Sequence, residues 1–372
     1  MLTATPIYLD YNATSPLRPA AKEAMIEALG APSNPSSVHK FGREARLQVE
    51  TARQKIACLI GGHSDEVTFT SGGTEANNLV LSGFNTVIAS RIEHDAVLET
   101  RRDALLVDVD EMGVIKLDKL AMLLSGLAAE DKKSTLVSVM AANNETGVRQ
   151  PLQAIIELCH QHGVVVHSDM VQVAGKYRVS FTELNLDFAT VSAHKIGGPA
   201  GVGALWCKAG RRLPAIIRGG GQERGMRSGT ENIAGIIGFG AAADAAASEI
   251  EAEEISGNLA KWHATLEQTI KAACPEISIL SDGADRLFNT TCLALPEIAS
   301  QTVIMALDLD GVMVSAGSAC SSGKVSASHV ITAMGRSDLA PYTLRISSGW
   351  QTSEEELVTL AKAIIGLYKR LS

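Results

Sequence analysis

Residues Phe188–Pro199 read FATVSAHKIGGP, and the pattern that surrounds this stretch decides the fold class. Its first part, Phe188–Val191, is a short apolar run of the kind that forms a buried strand in a parallel sheet. Lys195 follows at the carboxyl end of that strand, where α/β sheets gather their ligands. Burial there would lower the pKa of the lysine and make its amine a better nucleophile. A lysine that extends from a strand end into solvent is the structural alternative.

The preceding part of the chain repeats this pattern of short apolar runs bounded by turn residues. The other predicted strands are Glu66–Thr70, Thr86–Ala89, Leu105–Val109, Leu136–Met140 and Val164–His167. Predicted helices, with apolar residues at helical spacing, are Pro19–Leu29, Arg43–Ile60 and Leu152–His162. Strands that alternate with helices predict an α/β fold with a largely parallel sheet.

The pattern changes after about Asn232. An Ala-rich stretch that runs to about Ala273 predicts one long helix. It is followed by predicted strands near Ile277–Leu280 and Thr291–Leu295, and by predicted helices near Thr302–Leu307, Ser326–Met334 and Glu354–Leu371. This order predicts a smaller α+β domain. We expect a large domain over residues 16–254 and a small one formed by residues 1–15 and 255–372.

Length and charge limit the function classes. The chain has 372 residues, which is long for one compact domain, and a formal net charge of -8, which argues against nucleic acid or anionic membrane as a bulk-charge partner. The N-terminal sequence MLTATPIYLD has no signal or transit pattern, so a cytoplasmic location is expected. The six cysteines are scattered without a CxxC pair, which predicts no metal site and no disulfide framework.

A candidate anion site lies at Ser71–Asn77, which reads SGGTEAN after a predicted strand. Such a turn directs the free N–H groups of Gly73 and Thr74, at a helix start, toward an anion, and phosphate is the usual guest. An ordinary strand–helix turn with a hydroxyl cap is the alternative.

Polar side chains stand at the ends of other predicted strands. Asp169 ends a very apolar strand and is followed by Gln172, His94 follows another strand, and Asn144 lies in the segment NNETG. Each residue alone is as easily a cap, an ion-pair partner or a buried structural histidine. Together with the anion turn and Lys195 they match what pyridoxal phosphate requires: a phosphate cradle, a partner for the ring nitrogen, a stacking group and an amine.

Cys320 lies in Gly317–Lys324, which reads GSACSSGK. Small neighbours are typical of an accessible loop, and a reactive thiol needs access and a lowered pKa. The segment is not a P-loop, because five residues rather than four separate its glycines and Val325 replaces Ser or Thr.

These motifs together resemble the cysteine desulfurase family, within the fold-type-I class V aminotransferases. The resemblance covers nearly the whole chain. The matching stretches are YLDYNAT at 8–14, NPSSVH at 34–39, TSGGTE at 70–75, NNE at 143–145, SAHK at 192–195, GGGQERGMRSGT at 219–230 and GSAC at 317–320. It implies a large domain with a mostly parallel seven-stranded sheet between helices and a smaller α+β domain.

The resemblance also implies the chemistry of the site. Lys195 would hold pyridoxal 5'-phosphate through its amine and later move the Cα proton of the substrate. His94 would stack on the ring, Asp169 would pair with its nitrogen, and Gln172 would bond its phenolic oxygen. Cys320 would attack the sulfur of L-cysteine and keep it as a persulfide, which leaves L-alanine.

Further binding roles are implied in the same way. Asn144 would lie beside the cofactor, and Arg345 would bind the substrate carboxylate with Asn34 next to it. The phosphate would be bound by Gly73, Thr74, Ser192 and His194, together with Thr230 from the other subunit of a homodimer. The expected partners are therefore L-cysteine, a second copy of this chain and a sulfur-acceptor protein.

The segment from Cys320 to Arg345 is long, as in the subfamily that hands sulfur to iron–sulfur scaffold proteins. The sequence departs from the family at Met170–Val171 and at Ile196–Gly198, which leaves details of the pocket open but removes no catalytic group. Selenocysteine lyase, another class V enzyme and a catalytically idle assembly partner are the competing interpretations. Cys320 and Lys195 favour the desulfurase.

Overall fold

The computed structural model describes residues 6–317 and 327–371. Its strands are β1 (Ile7–Tyr8), β2 (Val67–Thr70), β3 (Thr86–Ser90), β4 (Leu105–Val107), β5 (Thr135–Ser138), β6 (Val165–Asp169), β7 (Phe188–Ser192), β8 (Gly203–Cys207), β9 (Ser278–Ile279), β10 (Thr290–Ala294), β11 (Val312–Met313) and β12 (Thr343–Ser347). Its helices are α1 (Pro19–Ala28), α2 (Lys40–Leu59), α3 (Gly73–Leu81), α4 (Asp95–Leu98), α5 (Leu117–Ser125), α6 (Leu152–Gln161), α7 (Ile233–Ala252), α8 (Glu254–Ala273), α9 (Ser300–Leu309), α10 (His329–Ala333) and α11 (Glu354–Leu371).

The largest sheet has seven strands in the order β2-β8-β7-β6-β5-β3-β4. β8 runs antiparallel to its neighbours β2 and β7, and the other neighbouring pairs are parallel. Since β8 is antiparallel to both, β2 has the same direction as β7, so the carboxyl ends of β2, β3, β5, β6 and β7 lie along one edge. Every residue of β2, β5 and β7 is buried, so these strands are covered on both faces, and the polar side chains among them are Thr and Ser. The predicted α/β class with a mostly parallel seven-stranded sheet is confirmed.

Two predictions about single elements were wrong. The antiparallel strand β8, which reads GALWC, was not among the predicted strands. The Ala-rich stretch forms two helices, α7 and α8, instead of one, because the chain turns at Glu253 with a left-handed φ of 54°. Neither Gly nor Pro marks that turn in the sequence, and an isolated Glu in this conformation is uncommon.

Helix α7 belongs to the layer that covers the large sheet. It is the helix of the described chain that is long and apolar enough to cross a membrane, by length and composition only. Half of that stretch is buried, and the helix packs against α1 and α2. Its glycines and alanines let these helices approach closely, as at Gly240, where an added Cβ would lie 2.8 Å from the backbone of Ala52.

The described residues also form two smaller sheets. β12, β10 and β9 form an antiparallel sheet, and β1 pairs in parallel with β11. Helices α8, α9 and α11 pack on these strands and on each other around a separate apolar cluster that includes Leu9, Leu293, Leu344 and Leu360. This part has the predicted α+β character. The predicted limits of the two domains, at residues 15/16 and 254/255, stay a prediction.

The N-terminal segment connects the small sheets to the edge of the large one. After β1, Asp10 bridges to Ser347 at the end of β12, and the backbone N–H of Asn12 donates to the Ser347 hydroxyl at 3.0 Å. The chain then turns, so that the N–H of Ser15 donates to the carbonyl of His194 at 2.8 Å. Residues 10–15 therefore lie directly against the end of β7.

We expect Gly203→Ala to destabilise the protein, because an added Cβ would lie 2.6 Å from the backbone of Gly72. That backbone closes the turn before α3 and cannot move away as a flexible side chain would. The free energy of unfolding should fall by about 1–3 kcal/mol, measured by urea denaturation. Gly366→Ala in α11 is the matched control, since open space surrounds its Cβ and a helical alanine is favoured over glycine by about 0.5–1 kcal/mol. Equal effects of the two substitutions would contradict this account of Gly203.

Candidate active site

The strand ends of the large sheet surround a cavity of about 330 Å³. Among the residues that line it are Gly73 and Thr74 after β2, His94 after β3, Asn144 after β5, Asp169 and Gln172 at the end of β6, Ser192, His194 and Lys195 at the end of β7, and Arg345 from β12. Asn12 also lines this cavity, so the structure brings together residues that are up to 333 positions apart in sequence (345 minus 12). This convergence is what a parallel sheet imposes on the residues that follow its strands.

Lys195 is held at the end of β7 by backbone carbonyls of the N-terminal segment. Its Nζ donates to the carbonyl of Asn12 at 2.5 Å and to that of Ala13 at 2.8 Å. Burial, reinforced by the positive charge of Arg345, lowers the pKa of Lys195 to about 8, although Asp169 and Asp10 act in the opposite direction. A neutral, nucleophilic amine is therefore available close to neutral pH.

Asp169 is held in a fixed orientation at the end of β6. Its Oδ2 accepts from Nδ2 of Asn77 at 2.8 Å, and its Oδ1 accepts from the backbone N–H of Val171 at 3.0 Å. Each carboxylate oxygen can accept a further hydrogen bond. Asp169, which is 9% exposed, can therefore accept a hydrogen bond from a protonated nitrogen of a group in the cavity.

The start of α3 has the donors of an anion site. Gly73 and Thr74 occupy its first turn and line the cavity, and the N–H groups of a first turn have no partner within the helix. The neighbouring Ser71 N–H is already bound to the Glu75 carboxylate at 2.8 Å. The open donors are therefore those of the residues that face the cavity.

His194 and His94 both line the cavity. Burial, with a smaller effect of Lys195, lowers the pKa of His194 to about 4, so its ring is neutral at neutral pH. The Nδ1 of His94 accepts from the backbone N–H of Ala96 at 3.0 Å. In a neutral His94 the proton must then be on Nε2, which leaves that N–H free to donate.

Arg345 reaches the cavity from the small antiparallel sheet. Its Nη2 donates to Oδ1 of Asp10 at 2.6 Å and its Nη1 donates to the carbonyl of Asn144 at 3.2 Å, while its Nε is buried without a partner among the described residues. The side chain is almost fully buried. A guanidinium with a buried, unused donor beside a cavity is suited to bind a carboxylate.

The chain is similar to known proteins over most of its length. The family model described as aminotransferase class-V matches residues 7–360. The cysteine desulfurase IscS of Dictyoglomus turgidum is 38% identical, with 94% of this chain and 91% of that protein covered. The cysteine desulfurase of Cereibacter sphaeroides is also 38% identical, over 98% of this chain and 97% of that protein.

The chain belongs to the class-V aminotransferases, among their cysteine desulfurases.

Solved structures agree with this assignment. The NifS-like protein from Rickettsia africae has a TM-score of 0.91 at 35% identity and covers 98% of this chain and 99% of its own. A structure titled SspA in complex with cysteine has a TM-score of 0.77 at 27% identity, over 92% of this chain and 98% of its own. The expected family and activity of the desulfurase are confirmed, and its family consists of pyridoxal-phosphate enzymes.

Three predicted site residues of the desulfurase are not seen in the cavity. Asn34 is exposed, and its Oδ1 accepts from the backbone N–H of Ser36 at 2.9 Å. Thr230 is exposed in the single chain. Cys320 lies outside the described residues, although Gly317, the last described residue before it, lines the cavity. The roles of these three residues stay predictions.

The structure also places residues in the site that sequence reasoning did not assign. Asn77 orients Asp169, Asp10 pairs with Arg345, and Asn12 and Lys176 are hydrogen-bonded to the Gln172 side chain. For Asp10 and Asn12 the sequence did contain a signal, because both lie in YLDYNAT, one of the matching motifs. The sequence offered no such signal for Lys176, which lies in a short turn after β6.

In the ligand-free protein we expect Lys195 to be acylated with a midpoint near pH 8, since its lowered pKa leaves a neutral amine above that pH. Trace labelling with acetic anhydride at a series of pH values, read by peptide mass spectrometry, measures the midpoint for each lysine. The exposed Lys119 is the internal control for the reactivity of the reagent at each pH. In Arg345→Ala the Lys195 midpoint should rise, because a neighbouring positive charge is removed. A Lys195 midpoint at the ordinary lysine value of about 10.4 would show that burial does not perturb Lys195.

Proposed function

We propose that this chain binds pyridoxal 5'-phosphate in the cavity at the strand ends, and transfers sulfur from L-cysteine to Cys320 with release of L-alanine. The observation that carries the proposal is the convergence on one cavity of an amine of lowered pKa, a fixed buried carboxylate and a helix start with open N–H groups. These are three of the four groups that this cofactor requires of a protein, and His94 would be the fourth, the stacking group.

The donor set fits the cofactor from one end to the other. Gly73 and Thr74 would bind the phosphate with the first-turn N–H groups of α3, together with Ser192 and His194, which line the same wall. At Gly73 an added Cβ would lie 3.3 Å from Val171, so glycine keeps this part of the cavity open. Asp169 would accept a hydrogen bond from the protonated ring nitrogen, because the N–H donors of Asn77 and Val171 orient both of its carboxylate oxygens.

The other cavity residues would complete the binding site. Pyridoxal phosphate, when bound, supplies an electron-withdrawing ring that stabilises negative charge at the carbon next to the substrate amine. Lys195 would hold the cofactor by its amine and afterwards take the Cα proton of the substrate. His94 would lie along the ring, Gln172 would donate to its phenolic oxygen, and Asn144 would border it.

Arg345 would receive the carboxylate of L-cysteine, because its buried Nε has an unused donor and its other nitrogens are held by Asp10 and Asn144. Asn34, predicted beside that carboxylate, is exposed in the single chain and would have to approach from its present position or from a partner subunit.

The sulfur step needs a thiolate. The Cys320 thiolate would attack the sulfur of the substrate, so that an S–S bond forms while the Cβ–S bond breaks and its electron pair stays with the carbon. Protonation of that carbon, and return of a proton from Lys195 to Cα, would give L-alanine, and Cys320 would keep the persulfide. The persulfide sulfur then passes to an acceptor, for which iron–sulfur assembly or another thiolation reaction in the cytoplasm is the expected destination.

We expect Cys320→Ala to abolish alanine formation from L-cysteine, with a drop of at least about 100-fold, because no thiolate remains to accept the sulfur. Alanine and sulfide are measured with and without reductant. Cys58→Ala is the matched control, since Cys58 is an exposed thiol on α2, far along the chain from the site, and should leave the rate unchanged.

The cofactor absorbance of Cys320→Ala should equal that of wild type, which separates loss of the nucleophile from loss of the cofactor. If Cys320→Ala makes as much alanine as wild type, Cys320 is not the nucleophile. If wild type binds pyridoxal phosphate but makes no alanine, the lyase and transaminase alternatives have to be reopened.

A homodimer is the second part of the proposal, with Thr230 serving the phosphate of the partner subunit. Thr230 is exposed in the single chain, and large apolar side chains near it in sequence, Ile216 and Ile217, are exposed as well. Exposed apolar groups of this size favour coverage by another protein surface.

We expect Thr230→Asp and Lys195→Ala each to be inactive alone, and a co-expressed mixture of the two to recover activity. A mixed dimer would contain one site with Lys195 from the first chain and an intact Thr230 from the second, and one site with both changes. Random pairing should then give about a quarter of the wild-type activity per site, measured as alanine release. No recovery in mixed dimers isolated by two affinity tags would place Thr230 and Lys195 in the site of the same chain.

A further inference from the structure

Lys176 is a second lysine near the cavity, and the proposed function assigns it no role. It lies one turn after Gln172, and its Nζ donates to Oδ1 of Asn12 at 3.0 Å and to Oε1 of Gln172 at 3.1 Å. It also lines a second, small cavity of about 60 Å³, and Lys195 lines both cavities. Lys176 does not line the main cavity itself, but it contacts Gln172, which does.

The surroundings of Lys176 are unusual for a cation, because its two hydrogen-bond partners are neutral amides. The charged groups that act on it are Lys195 and Arg345. The acids Asp10 and Asp169 act on the neighbouring Lys195, and the paired Arg18 and Glu249 line the small cavity. Burial, followed by the positive charges of Lys195 and Arg345, lowers the pKa of Lys176 to about 7. Burial of this amine destabilises the folded protein unless hydrogen bonds compensate for its lost hydration.

The chemistry of a lysine determines how the two amides are turned. An ammonium group has donors and no acceptor, so Asn12 and Gln172 must both present their oxygen to Lys176 and their nitrogen elsewhere. The second contact of each amide requires the same orientation. Nε2 of Gln172 donates to the carbonyl of Asn12 at 3.0 Å, and Nδ2 of Asn12 donates to Oγ1 of Thr290 at 2.9 Å.

The orientation of Gln172 decides what it offers to the cavity. With its oxygen bound to Lys176 and one N–H bound to Asn12, the second N–H of Nε2 is left without a partner among the described residues. Gln172 lines the main cavity, so it presents a donor and not an acceptor there. Deprotonation of Lys176 preserves this arrangement, because a neutral amine still has two N–H groups for the two amide oxygens.

We propose that Lys176 is a positioning residue of this desulfurase: it fixes the side-chain amide of Gln172 so that an N–H, and not the carbonyl, faces the bound cofactor. The inference rests on the proposed function, because it takes the acceptor in the cavity to be an oxygen of pyridoxal phosphate. Lys176 acts through Gln172 and has no contact of its own with the main cavity.

A double-mutant cycle tests whether Lys176 acts through Gln172. The dissociation constant of pyridoxal phosphate is measured by absorbance titration of ligand-free wild type, Lys176→Met, Gln172→Ala and the double variant. Lys176→Met should raise the dissociation constant about tenfold when Gln172 is present, since the Gln172 amide loses one of the two hydrogen bonds that orient it, and less than twofold in the Gln172→Ala background. The absorbance maximum of the bound cofactor should also shift in Lys176→Met, because the hydrogen bond to its oxygen changes. Lys119→Met, on the exposed face of α5, is the control and should change neither quantity.

An equal rise in both backgrounds would mean that Lys176 only supports the local structure, and no rise in either would remove it from the site altogether; both outcomes overturn the inference. If Lys176→Met does not fold by circular dichroism, Lys176→Gln replaces it in the same cycle, since its shorter side chain keeps a polar group in the wall but is expected not to reach both amide oxygens. A wild-type protein that fails to bind pyridoxal phosphate would instead overturn the proposed function. Binding by wild type without coupling in the cycle overturns the role of Lys176 alone.

Discussion

The buried amine of Lys195 is held by the carbonyls of Asn12 and Ala13, and no carboxylate of the described residues pairs with it. The rest of the site depends on this interaction. A cation in this place is costly, and the cost appears as a lowered pKa. The carbonyls come from the N-terminal segment, which is itself fixed to the small antiparallel sheet through Ser347. The reactive end of β7 is therefore positioned by a part of the molecule that contributes no strand to the large sheet.

Positive charge is concentrated around the cavity. Burial and the charge of Arg345 lower the pKa of Lys195, and burial with the charges of Lys195 and Arg345 lowers the pKa of Lys176. Asp10 pairs with Arg345, and Asp169 accepts a hydrogen bond from Asn77. An anionic guest compensates such an arrangement better than a neutral one. A phosphate at the start of α3 and a carboxylate at Arg345 would each bring a negative charge. The positive charges around the cavity would attract both groups.

Local sequence was sufficient for the strands of the large sheet that contribute to the cavity, but it did not predict β12, which carries Arg345. The apolar runs before Gly73, His94, Asp169 and Lys195 each form a strand, and the residue after each run lies where a parallel sheet places its ligands. The helix over Glu354–Leu371 has the predicted bounds, because its three acidic residues at the start and its Lys369–Arg370 end match the helix dipole. The break at Glu253 was missed, because an isolated left-handed Glu has no signal of its own in the sequence.

The sequence by itself determined the α/β class, the family and the identity of most groups in the cavity, because apolar periodicity and short motifs are properties of neighbouring residues. Only the tertiary structure decided how these groups are held: that Arg345 pairs with Asp10, that Asn77 turns Asp169, and that Lys176 orients the Gln172 amide. These are contacts between residues that different strands and turns bring together, and a hydrogen bond of about 3 Å depends on the packing of whole elements. Periodicity along the chain carries no record of that packing.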